Sequence, residues 1–162
     1  MESNTYYFER SCGWNGGLVE PIPALYRRAT EQRSRSRVVN CALVSSEQAG
    51  RPVRMRYAGT MSIVEGARGS QHADAAYLDS ALLFRHDGYE VQAPGRTLTE
   101  VLDEVGAPEV DLLSLDLEGF EPQALAGLDL DRQAPRSESR STSGAPTSSS
   151  TSVSVLPGAC TS

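Results

Sequence analysis

Apolar positions along this chain recur at two spacings, and the spacing changes mark the elements. "SNTYYFERSCG" predicts a short helix, with Ser3 or Asn4 as N-cap and Gly13 as its stop. "GLVE" at 17–20 is a short apolar strand closed by Pro21. In "PIPALYRRATEQR", Ile22, Leu25, Tyr26 and Ala29 share one helical face and the arginines take the other. "RVVNCALVS" at 37–45 is β-branched and apolar, and reads as one strand. "VRMRYAG" at 53–59 alternates like a strand with one wet face. Residues 59–76 show little periodicity and read as a loop, and the Asp87-Gly88 turn signal predicts a hairpin across 81–95. The clearest helix is "RTLTEVLDEVGAP". Thr97 and Glu100 have capping-box spacing, Leu98, Val101, Leu102 and Val105 form a stripe, and Gly106 and Pro108 end it. Residues 110–117 are apolar without alternation, as in a strand covered on both faces. "EPQALAGLDL" opens another helix, with Pro122 in its first turn. Strands alternating with helices imply an α/β domain with a mostly parallel sheet.

The pattern changes after residue 136. Residues 137–152 hold 11 Ser or Thr in 16 positions, too little apolar surface to offset chain entropy. The expected organisation is a domain at 1–136 and a Ser/Thr-rich disordered tail at 137–162. The abrupt switch of composition also has the look of an out-of-frame reading of GC-rich text, an expectation that the nucleotide sequence decides.

Charge is uneven. Residues 87–136 carry 12 acids against 3 Arg, residues 1–86 have a balance of +3, and the remainder is neutral, giving −6 overall. Arg27, Arg28, Arg33, Arg35 and Arg37 cluster, but read as a solvated helix face rather than a nucleic-acid footprint. Every basic residue is Arg. The absence of Lys excludes Schiff-base chemistry and a P-loop lysine. Cys12, Cys41 and Cys160 are odd in number and widely spaced, which suggests neither a disulfide framework nor zinc and implies a cytoplasmic setting. His72 and His86 share no metal-motif spacing, so no metal is expected. No apolar run is long enough to span a membrane, and the start does not have the pattern of a signal peptide.

Two predicted strands end in acids. Glu20 closes the first, where a carboxylate suits either a helix N-terminus or a pair of ribose hydroxyls. Asp116, Glu118 and Glu121 follow the last strand. They either cap the next helix, the role that fits Glu121 best, or surround a positive centre, since three clustered carboxylates otherwise repel one another.

Three segments carry a resemblance. "NTYYFERSCGWNGGLVEPIPALYRR", "VVNCALVS" and "RTLTEVLDEVGAPEVDLLSLDLEGFEPQALAGLDL" resemble the FkbM-type family of S-adenosylmethionine-dependent methyltransferases, with "LLSLDLEGFE" the most specific element. The resemblance implies a Rossmann-like sheet, S-adenosylmethionine as cofactor, and methylation of an oxygen on a small-molecule or glycan acceptor. It implies that Glu20 holds the ribose and that Asn40, Cys41 and Ala42 lie along the adenine. It places Asp116 and Glu118 at the methionine end and the acceptor, one of them as general base. The family's first strand and Gly-rich turn lie upstream of the "SNTYYFE" helix, where this chain has Met1 and Glu2. The sheet is therefore expected to be incomplete at both ends, as two half-sheets with unpaired inner edges. A non-catalytic fragment or interaction module is the alternative reading.

Overall fold

The computed structural model describes residues 5–57, 62–67, 69–70, 72–76, 88–107, 109–140 and 152–156. Ser3, Asn4, His86, Pro108 and Cys160, together with the first half of the expected hairpin, lie outside those residues. In chain order the elements are α1 (Tyr6–Cys12), β1 (Gly16–Val19), α2 (Pro23–Gln32), β2 (Ser36–Val39), β3 (Ala42–Leu43), β4 (Pro52–Tyr57), β5 (Ile63–Val64), β6 (Tyr89–Arg96), α3 (Leu98–Val105), β7 (Leu112–Asp116), α4 (Glu121–Leu125), α5 (Leu130–Gln133), β8 (Ser137–Arg140) and β9 (Ser152–Leu156).

They form two sheets, ordered β2-β1-β9-β7-β8 and β3-β6-β4-β5. The fold is mixed α/β, and the expectation of a mostly parallel sheet is corrected. β1–β2, β7–β8 and β3–β6 pair in parallel. β4 pairs antiparallel with β5 and β6, and β9 pairs antiparallel with both β1 and β7. The inner edges expected to be unpaired are therefore joined. The reason is physical: a row of free N–H and C=O groups in the middle of a sheet is costly, and the Ser/Val strand β9 satisfies both rows at once. β8 and β9 both come from the stretch expected to form the tail, whose residues 141–151 and 157–162 lie outside the described set.

Two further expectations change. The strand read across 37–45 breaks at Asn40 and Cys41, and its halves join different sheets. Asn40 explains the break. Its Nδ2 donates to the Glu20 and Pro21 carbonyls at 2.8 and 3.1 Å, tying the chain to the end of β1 where a ladder would otherwise continue. The loop at 59–76 contains β5 and a helical stretch at 72–76.

The core lies where α3 crosses the sheet. Leu98, Val101 and Leu102 are buried against Val19, Val39, Leu113 and Leu115. Gly17 permits the close approach, since a Cβ there would meet both Val105 methyls at 3.1 Å. The predicted capping box is present. Glu100 N donates to Thr97 Oγ1 at 3.1 Å, and Thr97 N donates to Glu100 Oε2 at 2.8 Å. Gly106 ends α3 at φ 71°. Thr97→Ala is expected to lower stability by about 1 kcal/mol, a fall of roughly 3 °C in a thermal melt. An unchanged melting temperature would show that the cap contributes nothing.

Candidate functional site

β1 and β7 run the same way, each antiparallel to β9, so their carboxyl ends lie on one edge of the sheet. Glu20 follows β1 and Asp116 ends β7. Ser152 pairs with Asp116, and Val153 pairs with both Val19 and Leu115. Glu20, one residue beyond Val19, is thus level with Ser152 on the other side. The two acids stand two strand spacings apart, about 10 Å, with the backbone of Ser152 between them.

Glu20 is 1 % exposed. Its Oε1 accepts from Ile22 N at 2.9 Å, while Oε2 is buried with no hydrogen-bond partner. Burial pushes the carboxyl up to about 8, with the Ile22 bond opposing. The other buried orphan side-chain atoms among the described residues, on Trp14, Gln123 and Gln133, belong to groups that do not ionise. An unsatisfied buried carboxylate oxygen is expensive in a structural role and is the kind of group functional sites retain. Of the two roles read from sequence, a helix-end acid in contact with solvent does not describe Glu20, which is buried together with Ile22.

Asn40 lies beside Glu20 and holds its backbone. Cys41 and Ala42 are fully buried, and burial lifts the Cys41 thiol to about 12, so it is an inert packing group. A cavity of about 10 Å³ lies among Val19, Pro21, Cys41, Ala42, Leu117 and Phe120. That is room for roughly one water. Oε2 of Glu20 is an acceptor of the kind a ribose hydroxyl takes, but it is closed off from solvent, and the space beside Cys41 and Ala42 does not fit an adenine ring as the sheet stands.

Beyond Asp116, which is buried, the chain turns sharply. Glu118 has φ 53° and Gly119 φ 102°. Glu121 Oε1 holds this turn, accepting from Leu117 N at 2.8 Å and Gly119 N at 3.4 Å. It bridges the loop to the first turn of α4, close to the capping role read from sequence. A glutamate in the left-handed region costs about 1 kcal/mol, and such strain gathers at functional turns. Glu118→Gly should leave stability unchanged or raise it by up to about 1 kcal/mol in urea unfolding, the lost strain being offset by glycine's freedom in the unfolded chain. A loss above 2 kcal/mol would mean that the Glu118 side chain is structural.

The sequence reading missed Tyr57 and Tyr89. Their rings are 4.9 Å apart, and burial, then Tyr89, then the Glu20 carboxylate raise the Tyr57 hydroxyl. The second sheet thus brings an aromatic pair within electrostatic reach of Glu20. Cross-strand pairing of Tyr57 with Tyr89 was the available signal, but one partner lies in a strand whose start the sequence did not fix. A larger cavity, about 220 Å³, lies on the same sheet between Arg54, Arg56, Glu65, Asp74 and Glu90. The arginine cluster also divides. Arg33 is buried in an ion pair with Glu9, and Arg37 pairs with Glu104, so neither is part of a free basic face.

Among the described residues no group of three or more His, Cys, Asp or Glu is placed to hold a metal ion. Among them, too, no helix is long and apolar enough to cross a membrane.

Two strands thus end in acids at one sheet edge of a mixed α/β protein, and one of those acids is buried and half unsatisfied. Comparison with protein families matches residues 1–144 to the methyltransferase FkbM domain. The chain belongs to that family. No curated protein and no solved structure matches it.

Proposed function

We infer that the chain is built to bind S-adenosylmethionine at the Glu20–Asp116 edge and to direct its methyl group to a hydroxyl of a small-molecule or glycan acceptor. The observation that supports this most is the orphan Oε2 of Glu20, read together with family membership. When bound, the cofactor supplies an electrophilic methyl on a sulfonium.

The chain's own residues do the rest. Glu20, which is neutral below about pH 8, offers its unpartnered Oε2 to a ribose hydroxyl. A hydrogen bond from that hydroxyl to the ionised form favours ionisation. Binding therefore draws the Glu20 proton off, and affinity rises with pH until about pH 8. Asn40 fixes the Glu20 backbone. Asp116 and Glu118 stand at the acceptor side, where one carboxylate removes the hydroxyl proton as the nucleophile advances. The remaining requirement is in-line alignment. Tyr57 and Tyr89 offer ring faces for a sugar or other polyhydroxylated acceptor.

Calorimetric titration with S-adenosylmethionine at pH 6, 7 and 8 tests the reading. The expected result is binding that strengthens across the series, releases a proton, and weakens at least tenfold in Glu20→Gln. Binding unaffected by that substitution would remove Glu20 from the site.

A further inference from the structure

The cavity of about 220 Å³ on the second sheet lies outside the site described above, and neither Glu20 nor Asp116 lines it. It is an order of magnitude larger than one water requires. Among the described residues only Met55 lines both this cavity and the small space beside Cys41. We propose that this cavity binds a small zwitterion, a free α-amino acid in chemical class, with its carboxylate on Arg56 and its ammonium on Glu90. The inference does not rest on the preceding reading.

The pleat of the sheet assembles the lining. Cross-strand partners project to the same side. Arg56 of β4 is opposite Glu90 of β6 and Ile63 of β5, and Arg54, two residues along β4, projects the same way. Glu65 N donates to the Arg54 carbonyl at 3.0 Å, which continues the row past the end of β5. This face therefore presents acid, arginine, acid from one strand to the next. Asp74 and Ala75, from the helical stretch at 72–76, complete the lining. Asp74 Oδ2 accepts from Gly66 N at 2.6 Å and so ties that wall to the chain just beyond β5. Ile63 and Met55 close the floor with buried apolar side chains.

The charges in this lining are not equivalent. Arg54 Nε pairs with Glu65 Oε2 at 2.8 Å, and Asp74 is engaged with the wall. Arg56 and Glu90 are exposed, with Cβ atoms about 5 Å apart. Among the described residues neither side chain has an ion pair or a hydrogen bond. That arrangement selects by charge. A simple anion drawn to Arg56 meets the carboxylates of Glu65, Asp74 and Glu90, and a simple cation drawn to Glu90 meets both arginines. A neutral ligand only exchanges water's hydrogen bonds for similar ones. A zwitterion satisfies both groups at once: the guanidinium fork takes a carboxylate through two N–H donors, and the Glu90 carboxylate accepts from an ammonium. The apolar floor and Ala75 leave the ligand's side chain an uncharged place to rest.

The experiment uses the full chain without S-adenosylmethionine, so its result is independent of the cofactor reading. Backbone amide NMR signals of β4, β5 and β6 are followed during titration with L-leucine, N-acetyl-L-leucine and L-leucinamide. Acetylation removes the ligand's positive charge and amidation its negative charge. The expected result is saturable binding of L-leucine with a Kd on the order of 1 mM, and binding at least fivefold weaker for each analogue. Arg56→Met should abolish the preference for leucine over leucinamide and keep the preference over N-acetyl-leucine; Glu90→Gln should do the reverse. Both positions are exposed, so each variant should melt within about 2 °C of wild type, which separates lost binding from lost folding. The proposal is overturned if L-leucine does not bind saturably, if either analogue binds as tightly as L-leucine or more so, or if the two substitutions leave the selectivity unchanged.

Discussion

Glu20→Gln is expected to stabilise the protein by about 4 kcal/mol at pH 8 and to change little at pH 4. The folded carboxyl releases its proton near 8, against an ordinary value of 4.5. Below 4.5 both folded and unfolded chains hold the proton, and Glu20 carries no penalty. Above 4.5 the unfolded chain ionises first, so stability falls by about 1.4 kcal/mol per pH unit until the folded carboxyl also ionises near 8. Glutamine never ionises, and its Oε1 still accepts from Ile22 N, so the variant avoids the whole fall. Urea unfolding at pH 4, 6 and 8 reads the difference directly. A constant gap between the two proteins at all three values would mean that Glu20 is not the titrating group. The gain comes with the loss of cofactor affinity described above, the usual exchange where a site retains an unsatisfied polar group for its ligand.

Arg33→Met should be as damaging as Glu20→Gln is helpful, with a loss of about 3–5 kcal/mol at pH 7. Glu9 and Arg33 are almost completely buried, with Nη1 to Oε2 at 3.1 Å. Ser36 Oγ and Arg35 N also donate to the Glu9 carboxylate, at 2.6 and 3.0 Å. Burial alone would raise the Glu9 carboxyl. The bonds from Ser36, Arg35 and Arg33 more than offset it, and it lies below its ordinary value. The sign is therefore opposite to that of Glu20: the stability Glu9 contributes is present above 4.5 and is lost as pH falls through its lowered folded value. Without Arg33 the carboxylate is left buried without its cation, and part of the loss should return at pH 4, where the group is protonated. The pair Glu9→Gln with Arg33→Met should recover most of the stability, because no charge is then stranded. A double variant as unstable as the single one would show that Arg33 acts through packing, for example over the Tyr6 ring, 5.0 Å from its guanidinium.

How much of this was legible beforehand depended on whether the signal was local. The capping box of α3 and the burial of β7 were readable because their causes lie within a dozen residues: the Thr97 and Glu100 spacing, and an unbroken apolar run. The family resemblance was readable for the same reason, as contiguous text. The break between β2 and β3 was not, because it depends on Asn40 reaching across to the Glu20 and Pro21 carbonyls. Arg33 looked like its exposed neighbours Arg27 and Arg28, since nothing nearby announces a partner 24 residues away. Glu20 and Asp116 were picked out as strand-end acids, but not that Glu20 is nearly solvent-free or that a strand separates the two. β9 was the hardest element to anticipate. Its five residues follow a Ser/Thr-rich stretch and carry little sign of a place in the middle of a sheet, which is supplied entirely by the two edges it joins.

The same strand sets a constraint on synthesis. Gly17 pairs with Val155, roughly 140 residues later, so β1 is made on the order of ten seconds before its inner partner at ordinary translation rates. Through that interval the inner edges of β1 and β7 have no β9 to pair with, and an open edge is a template for another chain. Contacts this distant also make folding slow once the chain is complete. Yield of soluble protein should therefore depend on how quickly the last strand is delivered, and nascent chains stalled before residue 152 should be the ones that associate.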